Sequence, residues 1–215
     1  MVKLLSYIYP ITKKVSSVFN GTLELTWYNG KKYLNSKNAN YSYGSLQKIL
    51  KIGLQKINLA SCQNILILGL GGGSVVKTLR EDFKYPHKIT AIDIDPVVLK
   101  IADEEFGVRE GKNLTIICAD AYAYISQNQE LFDLIILDLF IDTSVPHCFY
   151  EIFFWQKIIN AVQSKGTILF NASLNSLTQQ TLIPVLDYLA KNNFDIDKME
   201  KVNDSNTLVI AYALN

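Results

Sequence analysis

The stretch NILILGLGGGSVVKTLREDF, residues 64–83, decides the fold. It runs from a block of aliphatic residues into a segment with helical spacing, through the glycines Gly69, Gly71, Gly72 and Gly73. A backbone without Cβ atoms turns sharply there, and the free N–H groups of the first helical turn face a bound ligand. A tight strand-to-helix turn without a ligand is the alternative, so the loop alone is a weak signal.

Composition limits the classes of partner. The 215 residues are 49% hydrophobic and 19% charged, which is typical of a globular chain with one main domain. The net charge of +1 creates no field that attracts a polyanion, so we expect no nucleic-acid partner. The three cysteines lack CxxC spacing, which indicates no disulfide framework and no metal site and favours a reducing compartment, the cytoplasm. No window approaches the roughly 20 apolar residues of a membrane span, so we expect no membrane partner.

Short apolar runs alternate with segments long enough for helices. The expected strands are Asn64–Leu70, Lys88–Asp93, Leu114–Ala119, Phe132–Asp138, Thr167–Asn171, Phe194–Lys198 and Thr207–Tyr212. The expected helices between them are Ser74–Glu81, Pro96–Glu105, Ala121–Gln127, Cys148–Val162 and Ser176–Lys191. The alternation predicts an α/β fold, a doubly wound and mostly parallel sheet with helices on both faces. The last two strands are close enough in sequence to pair antiparallel.

A different pattern opens the chain. Residues 22–35, TLELTWYNGKKYLN, alternate on both sides of Asn29-Gly30, which predicts a β-hairpin. We therefore divide the chain into an N-terminal β-hairpin region, 1–42, and a Rossmann-like domain, 43–215. Because the edge of a hairpin invites pairing with a second copy, we expect a homodimer.

Acidic residues stand at the ends of the strands that follow the glycine loop. Asp93, 24 positions beyond Gly69, is placed to accept hydrogen bonds from ribose hydroxyls, with a solvated strand end as the alternative. Asp95 suits an N-cap of the next helix. Asp120 and Asp138 end the next two strands, although Asp120 could also be a helix N-cap. Because ligands of open α/β sheets bind outside the carboxyl ends of the strands, we expect these ends to converge on one crevice.

Six blocks in a fixed order resemble a known family. The blocks, between residues 20 and 175, are YSYGSLQKIL, GLGGGS, AIDID, ADA, FDLIILDLFID and FFWQKI. They resemble the polyamine aminopropyltransferases, of which spermidine synthase is the familiar member, within the class I S-adenosylmethionine-dependent transferases. The resemblance implies the class I methyltransferase fold with a seven-stranded sheet. It also implies a small-molecule acceptor and S-adenosylmethionine, or its decarboxylated form, as cofactor.

The resemblance also implies roles for individual residues. The cofactor-binding set is Gly69, Gly71, Gly72, Gly73, Asp93 for the ribose, Asp120 and Ala121 for the adenine, and Asp138. The catalytic set is Asp138, Asp142 and Tyr43, and no metal is implied. Asp138 would orient or deprotonate the acceptor, Asp142 would contact the substrate or Asp138, and Tyr43 would close over the site. A solvated loop acid is the alternative for Asp142.

Departures from the family pattern bear on cofactor and acceptor. Gly72 stands where the family has an aspartate that pairs with the amino end of the decarboxylated cofactor and disfavours the intact one, so its absence favours intact S-adenosylmethionine. The spacing between Asp138 and Asp142 is one residue longer than in the family. The family's diamine-facing acids fall on residues 37–40, KNAN, which leaves only Tyr43 of that set and argues against putrescine as a substrate.

Three hypotheses follow. The main one is an S-adenosylmethionine-dependent methyltransferase on an aminopropyltransferase-like scaffold, acting on a small acceptor. The first alternative is a polyamine aminopropyltransferase with unusual substrate contacts that uses the decarboxylated cofactor. The second alternative is a non-catalytic protein that binds a nucleoside or dimerises and has kept only the crevice.

Overall fold

The computed structural model describes residues 2–36, 40–172, 176–203 and 206–214. The strands are β1 (Ile11–Ser17), β2 (Gly21–Tyr28), β3 (Lys31–Asn35), β4 (Asn40–Ser42), β5 (Asn64–Leu68), β6 (Lys88–Asp93), β7 (Leu114–Cys118), β8 (Phe132–Leu137), β9 (Val162–Ala172), β10 (Phe194–Val202) and β11 (Asn206–Ala213). The α-helices are α1 (Val2–Leu5), α2 (Ser45–Leu54), α3 (Ser74–Lys77), α4 (Pro96–Phe106), α5 (Ala121–Gln127), α6 (Ile152–Asn160) and α7 (Ser176–Lys191).

The larger sheet has seven strands in the order β10-β11-β9-β8-β5-β6-β7. Strands β7, β6, β5, β8 and β9 pair in parallel, and β11 lies antiparallel between β9 and β10. This arrangement confirms the predicted Rossmann-like methyltransferase fold, including the antiparallel pair at the end of the chain. The winding direction reverses between β5 and β8, and such a switch point opens a crevice at the carboxyl ends of the strands.

The aliphatic run of β5 is continuous because helices cover both faces of the sheet. Ile65 and Ile67 belong to a core cluster that includes apolar residues of α2, α3 and α4. Leu66 and Leu68, with side chains on the opposite face, belong to a second cluster with residues of α5, α6 and α7. All four side chains are fully buried, so the strand that leads into the glycine loop is held between two packed layers.

Two predicted helices differ in the structure. The segment Cys148–Val162 forms a 3-10 turn over His147–Tyr150 and then α6. Strand β9 begins at Val162, five residues before the predicted Thr167, because Val162 pairs with Phe132 across a register shift. Its first residues are mostly polar and exposed, so no hydrophobic pattern marks them. The predicted helix after the glycine loop is α3 followed by a π-helical turn over Thr78–Asp82.

The N-terminal region forms a four-stranded antiparallel sheet in the order β1-β2-β3-β4. The β2–β3 hairpin is confirmed: Asn29 and Gly30 have φ values of 48° and 71°, the left-handed pair that such a turn requires. Strand β1 was not predicted, because its polar residues give no alternation that separates it from a loop. The division at 42 and the homodimer stay predictions. In the described part of the chain, each helix is too short or too polar to cross a membrane.

Candidate active site

The glycine loop connects β5 to α3, and its shape depends partly on the protein's own packing. A Cβ added at Gly69, which has a φ of 93°, would lie 2.1 Å from the carbonyl oxygen of Asp138. Gly73, the left-handed N-cap of α3 with a φ of 82°, packs against Val108, whose Cγ2 would be 2.6 Å from an added Cβ. Gly71 also has a positive φ, of 56°. Two of the glycines are therefore required by close contacts within the fold, besides any contact with a ligand.

Asp93, at the end of β6, holds the glycine loop. Its Oδ2 accepts a hydrogen bond from the Gly71 N–H at 2.8 Å, and its Oδ1 accepts one from the Asp95 N–H at 3.0 Å. The residue is 6% exposed. Burial raises the pKa of the Asp93 carboxyl to about 6, and the backbone N–H donors partly oppose that rise. Each carboxylate oxygen keeps lone pairs beyond these bonds, and the predicted ribose contact would depend on them.

Asp138 follows β8, and two asparagines support it. The Asn171 side-chain amide donates to Asp138 Oδ1 at 2.8 Å, and the Asn206 amide donates to Asn171 Oδ1 at 2.8 Å. Burial raises the pKa of the Asp138 carboxyl to about 7, the Asn171 hydrogen bond lowers it, and the negative charge of Asp93 raises it. The carboxylate of Asp93 is therefore close enough to Asp138 to influence its ionisation.

The carboxyl groups of Asp93 and Asp138 share one feature: neither has a basic side chain as an ion-pair partner in the described part of the chain. Among the residues that the structure describes, no lysine, arginine or histidine forms an ion pair with Asp93 or Asp138. A buried ionised group without a partner is costly, and an opposite charge within about 4–6 Å favours its charged form. The arrangement suits a cationic ligand such as a sulfonium or an ammonium group.

The next strand end places Asp120 and Ala121 at the start of α5. Asp120 Oδ1 accepts a hydrogen bond from the Ala123 N–H at 2.8 Å, so the alternative role as N-cap is present. Asp120 is exposed, and Ala121 is buried beside it. Because β8, β5, β6 and β7 are neighbours in the sheet, the ends that carry Asp138, the glycine loop, Asp93 and Asp120 lie side by side. The predicted adenine contact at Asp120 stays a prediction.

Asp142 and Tyr43 connect the crevice to the N-terminal region. Asp142, with a φ of 53°, accepts a hydrogen bond from Ser36 Oγ, just after β3, at 2.7 Å. The Tyr43 hydroxyl donates to the Gly72 carbonyl oxygen at 3.1 Å, and its ring stacks on Phe106 with the ring centres 4.3 Å apart. Burial raises the pKa of the Tyr43 hydroxyl, so this group is unsuited to act as a base. Its contacts are those of a residue that positions the loop.

Sequence reasoning missed several supporting residues. Asn171 is the last residue of a predicted strand, and a polar residue at the end of an apolar run is a usable signal of a site. Nothing in the sequence pointed to Asn206. Asp95 was predicted as an N-cap, which is confirmed by the hydrogen bond from the Val97 N–H at 2.9 Å.

Asp95 also ties the two sheets together. Its Oδ2 accepts hydrogen bonds from the hydroxyl of Ser17 and, at 2.7 Å, from the amide of Asn20, both near the β1–β2 turn. These contacts cross 75 or more positions of sequence, so no local pattern reports them. The family's diamine-facing acids were expected to fall on residues 37–40, of which 37–39 lie outside the described residues.

Comparison with known proteins identifies the family. A sequence model of the Spermine/spermidine synthase domain matches residues 47–202, which is most of the chain. The chain belongs to the spermine/spermidine synthase family. A polyamine aminopropyltransferase of Sulfolobus acidocaldarius is 32% identical over 134 residues, which are 58% of this chain and 43% of that protein. The matched segment is thus less than half the length of that aminopropyltransferase.

Solved structures agree on the fold. A probable spermidine synthase from Corynebacterium glutamicum superposes with a TM-score of 0.67 at 16% identity, covering 95% of this chain and 77% of the other. Human methyltransferase-like protein 13, in complex with SAH, gives a TM-score of 0.64 at 22% identity, covering 80% of this chain and 83% of the other. The spermine/spermidine synthase family thus shares its α/β domain with methyltransferases, and at these identities the likeness speaks for the fold alone.

Proposed function

We propose that the protein is a polyamine aminopropyltransferase that uses the decarboxylated form of S-adenosylmethionine and an amine acceptor. One observation carries the proposal: Asp93 and Asp138 stand beside the glycine loop without a cationic partner among the described residues. An acidic crevice favours both a sulfonium and an ammonium group. The family and its curated relatives support aminopropyl transfer to an amine over other reactions of this fold.

The residues at the strand ends fit a sulfonium nucleoside. The Asp93 carboxylate holds the glycine loop at the Gly71 N–H, so the loop backbone lies at the start of α3, where the nucleoside would bind. Asp120 and Ala121 lie at the next strand end. When bound, the nucleoside supplies an activated carbon, whose transfer breaks a C–S bond, forms a C–N bond to the acceptor and leaves a thioether. The protein contributes position and charge.

Asp138 is the proposed proton acceptor. A carboxyl group with a pKa of about 7 is ionised in a large share of molecules at neutral pH and can still take a proton from an ammonium acceptor. The Asn171 amide holds one of its oxygens, which leaves the other to face the acceptor. A bound cation would lower the pKa of Asp138, so the cationic substrates favour the ionised form that binds them.

Methyl transfer from intact S-adenosylmethionine is the second candidate, and Gly72 favours it. An aspartate in the loop would face the carboxylate of the intact cofactor, and two unit charges about 4 Å apart interact by about 4 kcal/mol at an effective dielectric near 20. Gly72 lacks that carboxylate. The φ of Gly72 is not positive, so its backbone φ does not require a glycine and an aspartate can adopt it.

The thioether left after transfer distinguishes the two reactions. We would incubate the protein with each cofactor form and a set of di- and polyamines, then identify the nucleoside product by mass spectrometry. Aminopropyl transfer yields methylthioadenosine, whereas methyl transfer yields S-adenosylhomocysteine. Methylthioadenosine formed only with an amine present supports the proposal, and S-adenosylhomocysteine as the sole product overturns it in favour of the second candidate.

Two variants sharpen this experiment. Gly72→Asp should shift the preference towards the decarboxylated cofactor, by repulsion of the intact cofactor's carboxylate. Asp138→Asn should abolish turnover, whereas methylthioadenosine, which lacks the sulfonium charge, should still bind. If neither cofactor form nor either thioether raises the melting temperature of the wild-type protein, the transferase proposal fails as a whole.

A further inference from the structure

A basic cleft lies outside the set of strand ends that forms the candidate active site. It has a volume of about 760 Å³ and is bounded by the β2–β3 hairpin, α2, α3 and the end of α4. Five of the lining side chains are lysines, namely Lys31, Lys32, Lys48, Lys51 and Lys77. The carboxylates in the lining are those of Asp82 and Glu105.

The charges of this cleft do not cancel. Lys32 pairs with Glu105 at 2.7 Å, and Lys51 pairs with Asp82 at 2.8 Å. The three other lysines, Lys31, Lys48 and Lys77, make no ion pair with any carboxylate in the described ranges. Five positive and two negative side chains leave the lining at +3, whereas the whole chain is at +1. The rest of the chain is therefore at −2, of which buried Asp93 and Asp95 account for two charges, so the net positive charge of the protein is concentrated in this cleft.

The chemistry of the lining selects the ligand class. A polyamine is excluded from this cleft, because three uncompensated ammonium groups would repel it. Lysine is a compact point charge on a flexible stem, and several lysines can gather around a group that carries several negative oxygens, as a di- or triphosphate does. The chain's two arginines, Arg80 and Arg109, do not line the cleft.

We propose that this cleft binds a small molecule with a di- or triphosphate group, held by Lys31, Lys48 and Lys77. The site is separate from the acidic crevice and does not depend on the proposed transferase activity. Tyr43 connects the two, because its ring lines the cleft while its hydroxyl donates to Gly72 in the glycine loop. Lys77 Nζ lies 6.0 Å from the centre of the same ring.

Isothermal titration calorimetry with inorganic tripolyphosphate, on the full chain at an ionic strength of about 0.1 M, where the Debye length is about 10 Å, tests the proposal. The test variant carries Lys31→Gln, Lys48→Gln and Lys77→Gln. The matched control removes the same charge outside the cleft, with Lys112→Gln, Lys157→Gln and Lys191→Gln. We expect the cleft variant to bind at least about tenfold more weakly than wild type, which corresponds to about 1.4 kcal/mol. The control should change affinity by less than about twofold, because its three lysines do not line the cleft and salt screens exposed charges that make no direct contact with the ligand.

Two results would overturn the proposal. The first is equal weakening in both triple variants, which would mean that tripolyphosphate responds only to net charge. The second is no measurable binding to the wild-type protein at millimolar tripolyphosphate. A melting temperature of the cleft variant within a few degrees of wild type shows that a loss of binding is not a loss of folding, and each of the three single variants serves as a backup.

Discussion

Replacing Asp138 by asparagine should stabilise the unliganded protein at alkaline pH while it removes activity. The carboxyl group lies beside β8 with a pKa of about 7 in the folded protein, against an ordinary value of 3.8, because burial disfavours its charge. An asparagine side chain has nearly the same shape and keeps an oxygen that can accept the Asn171 hydrogen bond. The substitution therefore removes the buried charge and leaves the packing nearly unchanged.

The sign and size follow from proton linkage. Between pH 3.8 and about 7, folded Asp138 keeps a proton that the unfolded chain has lost, so stability falls as the pH rises through this window. At about 1.4 kcal/mol for each pH unit, the full cost of ionisation above pH 7 is at most about 4 kcal/mol. Asp138 is only half-buried, so water still reaches it. We therefore expect this cost of ionisation to be reduced to about 2 kcal/mol.

Urea unfolding of wild type and Asp138→Asn near pH 4.5 and pH 8 measures this effect. The difference in unfolding free energy should be small at the lower pH and should reach about 2 kcal/mol in favour of the variant at the higher pH. Asp120→Asn is the control, because this exposed N-cap keeps its capping function as asparagine and should change stability by less than about 0.5 kcal/mol at both pH values. A variant less stable than wild type at pH 8, or a difference independent of pH, would refute the reasoning.

Three further predictions concern the support of the site. Asn171→Ala removes the donor that favours the ionised carboxylate, so the pKa of Asp138 should rise above its wild-type value, as followed by NMR of ¹³C-labelled aspartate. Gly69→Ala should cost at least about 3 kcal/mol in urea unfolding, because the new Cβ would lie 2.1 Å from a backbone oxygen. Asn20→Ala leaves buried Asp95 with one donor fewer, and should cost about 1–3 kcal/mol and speed hydrogen exchange in β1 and β2.

Controls separate these effects from general damage. Gly107→Ala, at a left-handed helix end where an added Cβ meets nothing within 4 Å, should cost only about 1 kcal/mol against the larger loss at Gly69. An equal cost at both positions would remove the role assigned to the Asp138 carbonyl. An unchanged pKa of Asp138 in Asn171→Ala would show that the amide does not favour the ionised carboxylate. Unchanged exchange in β1 and β2 of Asn20→Ala would show that Asp95 does not anchor that sheet.

Local patterns were sufficient for most of the elements and for their order. The apolar runs, the glycine loop and the Asn29-Gly30 turn predicted β2, β3 and the parallel strands, because hydrophobic period and turn chemistry are local properties. They were insufficient for β1 and for the first residues of β9, where pairing with a distant strand forms the element and the side chains are polar. Asp93, Asp120 and Asp138 could be placed at one edge, because parallel strands all end there.

What the sequence determined by itself is therefore the sheet, the loop and the row of acids at its carboxyl edge. The tertiary structure decided how those acids are held: Asn171 and Asn206 on Asp138, the loop N–H on Asp93, and two side chains of the β1–β2 turn on Asp95. It also decided where positive charge collects, in a cleft that lysines from distant segments line together. The physical reason is that hydrogen bonding, burial and charge depend on distances in space, and chain folding brings together groups that no sequence spacing relates.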